Sequence, residues 1–193
     1  LKLLSKAKLT ENQETWTLWA AGRMREATSL AEYLHKTLHS DDIALLNRQI
    51  QSVRILAHRA NQFQQTERLA DCMQLALRHP QPRLRFAAVQ AIHEARQAEL
   101  VPDLLNLLEV EPDATIFYAG WQALRKLSST ADRRVLLTDS RAAVRLAALL
   151  ALLETHELTQ DDVDQLLSSE SDPRVRQVAE LWTDKMKQAT GPA

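Results

Sequence analysis

The sequence predicts an all-α fold built from stacked pairs of helices. A nine-residue motif of apolar and small residues recurs about every thirty residues, and such a period marks architectures in which each unit packs on its neighbours. Clear copies begin 32, 28 and 31 residues apart, and a fainter one lies 31 residues upstream; they start at Leu84, Ile116, Val144, Val175 and Val53. With 3 glycines, 6 prolines and 5% aromatic residues in 193, no segment has the pattern of a strand. We expect a right-handed α-α superhelix of about five helical hairpins plus an N-terminal helix.

The helices can be placed in order along the chain. Segment 15–24 predicts a single N-terminal helix without a partner, and segments 28–39 and 43–60 predict a hairpin around the turn SDD. The first helix of each later hairpin is expected at 67–78, 99–110, 131–137 and 159–168. The missing partner helix and the start at Leu1, without an initiator Met, suggest that 1–193 is a single helical-repeat domain from a longer protein.

The second helix of each later hairpin carries the repeated motif. Its apolar residues recur at three- and four-residue spacing, so they line one side of an α-helix. In the clearest copy these are Leu84, Ala87, Ala88, Ala91, Ile92 and Ala95. The turn before each copy contains Pro or Asp, which suit the first turn of a helix because its N–H groups lack backbone partners. Small residues at one shared offset are expected where neighbouring helices approach closely: Ala88, Gly120, Ala148 and Ala179.

The run Asp172-Pro173-Arg174-Val175-Arg176, followed by small residues at helical spacing, resembles the signature of HEAT repeats. The resemblance covers roughly residues 28–187. It implies a curved, armadillo-like solenoid whose second helices face the concave side, with turn Asp and helix Arg side chains forming ladders between repeats. The Arg position is filled by Arg54, Arg85, Arg145 and Arg176, whereas Phe117 interrupts it and Gln81 replaces one turn acid.

More narrowly, the order TWTLWAAGRM, VRILAHRAN, PRLRFAAVQAIHEAR is similar to the HEAT segment of large planctomycete proteins. Those proteins often join a dehydrogenase-like propeller, HEAT repeats and a c-type haem domain. The resemblance implies an exported or periplasmic location, and without it we expect a cytoplasmic one.

Charge is unevenly distributed along a chain whose formal net charge is −1. Residues 48–96 contain eight arginines against three acids, and residues 97–193 contain sixteen acids against ten bases. Arginines hold carboxylates or phosphates through paired hydrogen bonds, so the first stretch could form a basic patch. The alternative is that these arginines pair with acids of the turns or cover the helices with their stems.

Nucleic-acid binding is disfavoured, because the acidic second half would repel a duplex that needs many phosphates neutralised. Tryptophans could stack on bases, but they occupy apolar helix positions and are expected in the core. They are Trp16, Trp19, Trp121 and Trp182.

Catalysis finds little support in the sequence. The one cysteine, Cys72, shares its helix side with apolar residues and is expected to be a buried packing thiol. His35 and His39 lie four residues apart, which is half of a metal site, but no third ligand is near them in the sequence. There is no glycine-rich phosphate loop or nucleophile elbow. We therefore expect no enzyme activity, no metal and no cofactor.

The sequence thus predicts a non-catalytic scaffold or protein-interaction module that is monomeric, does not enter a membrane and prefers an acidic protein partner. The alternative is an accessory helical domain of a large redox protein whose catalytic domains lie elsewhere. Polar residues expected to project from the exposed faces of the second helices are the candidate contact residues: Arg48, Arg59, Gln90, His93, Tyr118 and Gln122.

Overall fold

A computed structural model describes residues 9–27, 29–40, 42–66 and 68–190. Across these ranges the chain forms eleven α-helices and two short 3-10 helices, with no strand. The α-helices are α1 (Glu11–Gly22), α2 (Leu30–Leu38), α3 (Leu46–Phe63), α4 (Leu69–Leu77), α5 (Pro82–Glu94), α6 (Val101–Val110), α7 (Ala114–Leu127), α8 (Thr130–Leu136), α9 (Ala142–Glu154), α10 (Gln160–Ser169) and α11 (Pro173–Thr190). The 3-10 helices are Ile43–Leu45 and Ala98–Leu100. The all-α prediction is confirmed.

The four helices that carry the clear motif copies each begin two residues before it. Their first residues are Pro82, Ala114, Ala142 and Pro173. For α7 the turn chemistry explains the start, since the side chain of Asp113 accepts hydrogen bonds from the N–H groups of Thr115 and Ile116 and so caps the helix. Reciprocal capping boxes start α1, α8 and α10, at Thr10, Ser129 and Thr159.

The expected helix boundaries agree with the structure to within a few residues, except at the N-terminus, where α1 begins at Glu11 rather than at Thr15. The expectations for Leu1, Thr28, Asp41 and Glu67 lie outside the described residues.

The chain divides into two compact units, Leu1–Leu104 and Leu105–Ala193. In the first unit α1, α3 and α5 lie side by side, and α2 and α4 pack against them and against each other. The approach of α1 to α3 is close: a Cβ added to Gly22 would lie 2.7 Å from Cγ2 of Ile55, so only glycine fits there without displacement.

In the second unit α7, α9 and α11 are neighbours in the same order, with α8 packed on α9 and α10 packed on α11. Part of its core is a cluster that includes the fully buried side chains of Leu149, Leu152, Val163 and Val175. Each unit therefore has one layer made of second helices and another made of first helices.

The small residues of the shared motif offset are all buried. Ala88, Ala148 and Ala179 have no exposed surface, and Gly120 is also inside. Cys72 is fully buried as expected.

Of the helices described, none combines the length and the apolar character needed to cross a bilayer.

Candidate interaction surface

The layer of second helices in the first unit has an outer face that no described helix of that unit covers. On α3 the side chains turned away from α2 and α4 recur at four- and three-residue spacing and are exposed or half-exposed. They are Asn47, Gln51, Arg54, His58 and Asn61. We call the outer sides of α1, α3 and α5 together the α1/α3/α5 face.

The contribution of α5 to this face includes two of the residues expected from the sequence. Gln90 and His93 are exposed, and Phe86 beside them is half-exposed. The buried residues of α5, such as Leu84 and Ala88, lie on its inner side. The structure therefore places Gln90 and His93 together and open to solvent.

The contribution of α1 is aromatic. Trp16 is 76% exposed, so the expectation that it lies in the core is wrong. The reason is angular: Leu18 points into the core, and Trp16 lies roughly 200° away around the helix. Trp19 is half-buried at the junction with α3, where its Nε1 donates to Oε1 of Gln51 at 3.0 Å and its ring lies 5.9 Å from that of His58.

A shallow depression of about 420 Å³ opens beside these two rings. It is lined by Thr15, Trp16, Trp19, Ala20 and Arg23. Large aromatic and Arg side chains dominate the energetics of many interfaces, and this depression presents both kinds. The other two tryptophans follow the expectation more closely, since Trp121 is 7% exposed and Trp182 packs half-buried on the second core.

Arg48 is held within the first unit. Its guanidinium pairs with the carboxylate of Glu14, and the hydroxyl of Tyr33 donates to the other oxygen of that carboxylate at 3.1 Å. Burial raises the pKa of Tyr33 first of all, and the neighbouring Glu14 carboxylate raises it further. This network joins α1, α2 and α3, so Arg48 already has an internal partner.

The expectation that Arg59 projects from an exposed face is wrong. Arg59 is 3% exposed, and its guanidinium donates to the carbonyl oxygens of Gly22 at 3.3 Å and Met24 at 2.8 Å. Carbonyl groups at a helix C-terminus have no partner within the helix, and a buried guanidinium satisfies several of them at once. Arg59 therefore caps the end of α1 and belongs to the core.

The eight arginines of the 48–96 stretch separate into two groups. Five take part in contacts within the unit, and these are Arg48, Arg59, Arg68, Arg78 and Arg85. The side chains of Arg54, Arg83 and Arg96 are exposed, and no hydrogen bond or ion pair joins these side chains to another residue in the described ranges. Internal pairing, the alternative interpretation, therefore applies to five of the eight arginines, and the basic patch stays a prediction for the other three.

Three of the four arginines at the shared motif position donate hydrogen bonds to backbone carbonyls of their own repeats. Arg85, Arg145 and Arg176 each donate to two carbonyl oxygens of the preceding turn or helix end, at 2.7 to 3.3 Å. Arg145 also reaches both carboxylate oxygens of Glu170 at 2.6 Å. Arg54 occupies the same motif position but is exposed. In the second unit this position therefore joins the repeat of α9 to the loop that follows α10.

Tyr118 and Gln122 lie together on α7 in the second unit. Tyr118 is 57% exposed, its ring meets that of Trp121 edge-on at 5.1 Å, and Nε2 of Gln122 lies 3.4 Å from its hydroxyl oxygen. Half-exposed leucines occupy the same motif offsets of the neighbouring helix α9, at Leu146 and Leu150. Sequence reasoning named the tyrosine but missed this apolar strip, although the motif offsets could have indicated it.

A larger cavity of about 870 Å³ lies among the turns of the second unit, but its charged groups satisfy one another. Arg134 pairs with Asp162 at 3.1 Å, and Arg145 pairs with Glu170. The Arg145 guanidinium lowers the pKa of Glu170. This cavity offers no charged group that a ligand would have to neutralise.

Cys72 and the pair His35 and His39 are the side chains that the sequence offered for catalysis or metal binding. Burial raises the pKa of Cys72 to about 12, which keeps the thiol protonated and unreactive at neutral pH. The rings of His35 and His39 lie 4.3 Å apart, and desolvation lowers the pKa of His35. In the part of the chain that the structure describes, no three His, Cys, Asp or Glu side chains are grouped so that they could hold a metal ion.

Comparison with known proteins identifies no family: no protein-family model matches the chain, and no curated protein is significantly similar to it.

Proposed function

We propose that the chain is a HEAT-type, armadillo-like solenoid that acts as a non-catalytic scaffold by binding a protein partner through its second helices. The observation that carries the proposal is that each unit exposes a large aromatic ring on a second helix whose opposite side is buried. Trp16 is exposed on α1, where Leu18 and Gly22 are buried, and Tyr118 is exposed on α7, where Gly120 is buried.

The recurring use of one motif position supports the solenoid part of the proposal. Arginines at this position tie the second helix of a repeat to the turn before it in three repeats. A stack of equivalent repeats is expected to repeat the same contact at a fixed period, because each repeat packs on its neighbours in the same way.

The exposed residues support the binding part. Burying an exposed Trp or Tyr in an interface removes a large apolar area from water, at about 25 cal/mol per Å². Exposed Gln90 and His93 and the partnerless Arg54 lie on the same kind of surface and would orient a partner through hydrogen bonds. Arg59 is no longer a candidate, and Arg48 would first have to leave Glu14.

The test captures partners from an extract of the source organism by using the purified chain as bait, with chemical cross-linking and mass spectrometry. Two variants remove the exposed rings, Trp16→Ala in the first unit and Tyr118→Ala in the second. We expect at least one of them to reduce recovery of a specific partner by about tenfold or more, and that partner to be cross-linked to the layer of second helices.

The control is Lys36→Glu, which changes an exposed side chain on α2, in the other layer. It should leave recovery unchanged. Cross-links confined to the first helices, or equal recovery with both ring variants when circular dichroism shows native helix content, would contradict the proposal.

A further inference from the structure

We infer that the α1/α3/α5 face binds an extended acidic segment of a partner protein. This inference rests on the proposed function and specifies the chemistry of the partner. It is carried by charge, by hydrogen-bonding capacity and by the aromatic depression on α1.

The face is cationic because it carries more unpaired guanidinium groups than carboxylates without a cationic partner. Arg23, Arg54 and Arg83 are exposed, and none makes a side-chain hydrogen bond or ion pair with another residue of the described ranges. Of the acids, the carboxylate of Glu11 accepts from Asn47 at 2.9 Å, and α3 contains no acidic residue.

The remaining acids do not reverse this balance. Glu14 is occupied by Arg48 and Tyr33, and Glu94 is the one other carboxylate on these three helices. Three unpaired guanidinium groups outnumber the two carboxylates that lack a cationic partner, those of Glu11 and Glu94, so the face favours an anionic ligand, and long-range attraction would speed its association.

The exposed amide side chains can pair with the backbone of an extended peptide. Asn61 and Gln90 are exposed and offer both an N–H donor and a C=O acceptor, the same pair that a peptide bond presents. Phosphate contacts supply a large share of nucleic-acid affinity, and the three unpaired guanidinium groups could neutralise only a few phosphates, so we favour a short peptide as the ligand.

The depression beside Trp16 and Trp19 provides a place for an apolar side chain of the segment. Neighbouring helix axes lie about 8–10 Å apart, so a chain crossing α1, α3 and α5 travels about 20 Å. At about 3.3 Å per extended residue, that distance corresponds to about six residues. The face thus suits a short segment that combines acidic residues with an aromatic or aliphatic one.

The experiment uses random copolymers as probes, measured by fluorescence anisotropy with the full chain. A fluorescein-labelled copolymer of glutamate and tyrosine should bind, and its affinity should fall as salt increases because exposed charges are screened. Polyglutamate should bind more weakly because it lacks rings, and a copolymer of lysine and tyrosine should not bind. Arg54→Glu and Trp16→Ala should each weaken binding of the glutamate–tyrosine copolymer by about tenfold or more.

The matched control is Lys36→Glu, which makes the same change in net charge outside the face and should alter affinity less than about twofold. Circular dichroism checks the fold of each variant. The inference is overturned if the acidic copolymer fails to bind, if the basic copolymer binds equally well, or if neither face variant weakens binding. Tighter binding of poly(dT) would assign the face to single-stranded nucleic acid instead.

These outcomes are separate from those of the scaffold proposal. The capture experiment with Tyr118→Ala probes the second unit, so a partner lost there would support the scaffold even if the acidic copolymer fails on the first unit.

Discussion

At the scale of single residues, arginine is the side chain whose role varies most in this protein. Arg59 and Arg133 are 3% and 4% exposed and donate to backbone carbonyls at the ends of α1 and α7. Arg54 has the same chemistry but faces solvent. The same side chain thus caps backbone carbonyls where it is buried and remains an unpaired cation where it faces solvent, as the contrast between Arg59 and Arg54 shows.

The contact between Arg145 and Glu170 gives a prediction at this scale. The Glu170 side chain is fully buried and accepts four hydrogen bonds, two from Arg145 and one each from the N–H groups of Ser171 and Asp172. Glu170→Ala removes the acceptor of a partly buried guanidinium and should lower the free energy of unfolding by about 3–5 kcal/mol. Urea denaturation followed by circular dichroism measures the change.

The control for this prediction is Glu180→Ala, which breaks the exposed ion pair with Arg176 on α11. Such exposed pairs contribute about 0–1 kcal/mol, so this variant should be nearly as stable as the parent. If both variants lost the same free energy of unfolding, burial would not be the reason that the Glu170 contact stabilises the fold.

At the scale of helices, small residues set how closely neighbours pack. α1 approaches α3 where Gly22 faces the fully buried Ile55, and the motif alanines occupy the inner sides of the later second helices. Glycine at a helix end is common for conformational reasons, but Gly22 has a negative φ angle. Glycine is therefore needed at position 22 because a side chain would not fit there, and not because of the backbone conformation.

Gly22→Ala tests this requirement. Helix propensity alone would stabilise α1 by up to about 1 kcal/mol, but the new methyl group would overlap Cγ2 of Ile55 and cost about 1–3 kcal/mol. We expect a net loss of about 1 kcal/mol in the free energy of unfolding, measured by urea denaturation. In an Ile55→Ala background, which removes Cγ2, the same substitution should become neutral or stabilising. Stabilisation by Gly22→Ala in the parent chain would refute the close approach.

At the scale of the whole molecule, the two units differ in the groups that respond to acid. Six carboxyl groups of the second unit have lowered pKa values: Asp132, Asp139, Glu157, Asp162, Glu170 and Asp172. Hydrogen bonds from Thr130 and Thr155 lower that of Glu157 to about 2, and Arg174 lowers that of Asp172 to about 2. In the first unit, desolvation and then the neighbouring His39 lower the pKa of His35.

The sign of the pH dependence follows from these shifts. A lowered pKa means that the folded state binds a proton less readily than the unfolded state, so stability is lost as pH falls. The contribution of His35 should fade below about pH 6.5, and those of the carboxylates should fade from about pH 5 downward. Free energies of unfolding at pH 7, 5 and 3 should therefore decrease in two steps.

Matched variants identify each step. Glu157→Gln should flatten the step at low pH, and His35→Gln should flatten the step near neutrality. A stability that rises between pH 7 and pH 3 would contradict the assignment.

The sequence alone determined much of the fold. The period of about thirty residues located the second helices, and each of the four helices with a clear motif copy begins two residues before that copy. Cys72 and the motif alanines were placed inside because their offsets coincide with those of leucine and isoleucine. Local pattern was sufficient here because helix formation and the inner side of a helix depend mainly on residues three and four apart.

The tertiary structure decided which outer sides of the helices stay exposed to solvent. The sequence grouped Arg59 with exposed residues and Trp16 with the core, and both assignments were wrong. Periodicity shows which residues share a side of a helix, but the neighbouring helix determines whether that side is covered. Arg59 is buried because the C-terminal carbonyls of α1 lie against it, and Trp16 is exposed because Leu18 and Gly22 already occupy the side of α1 that packs.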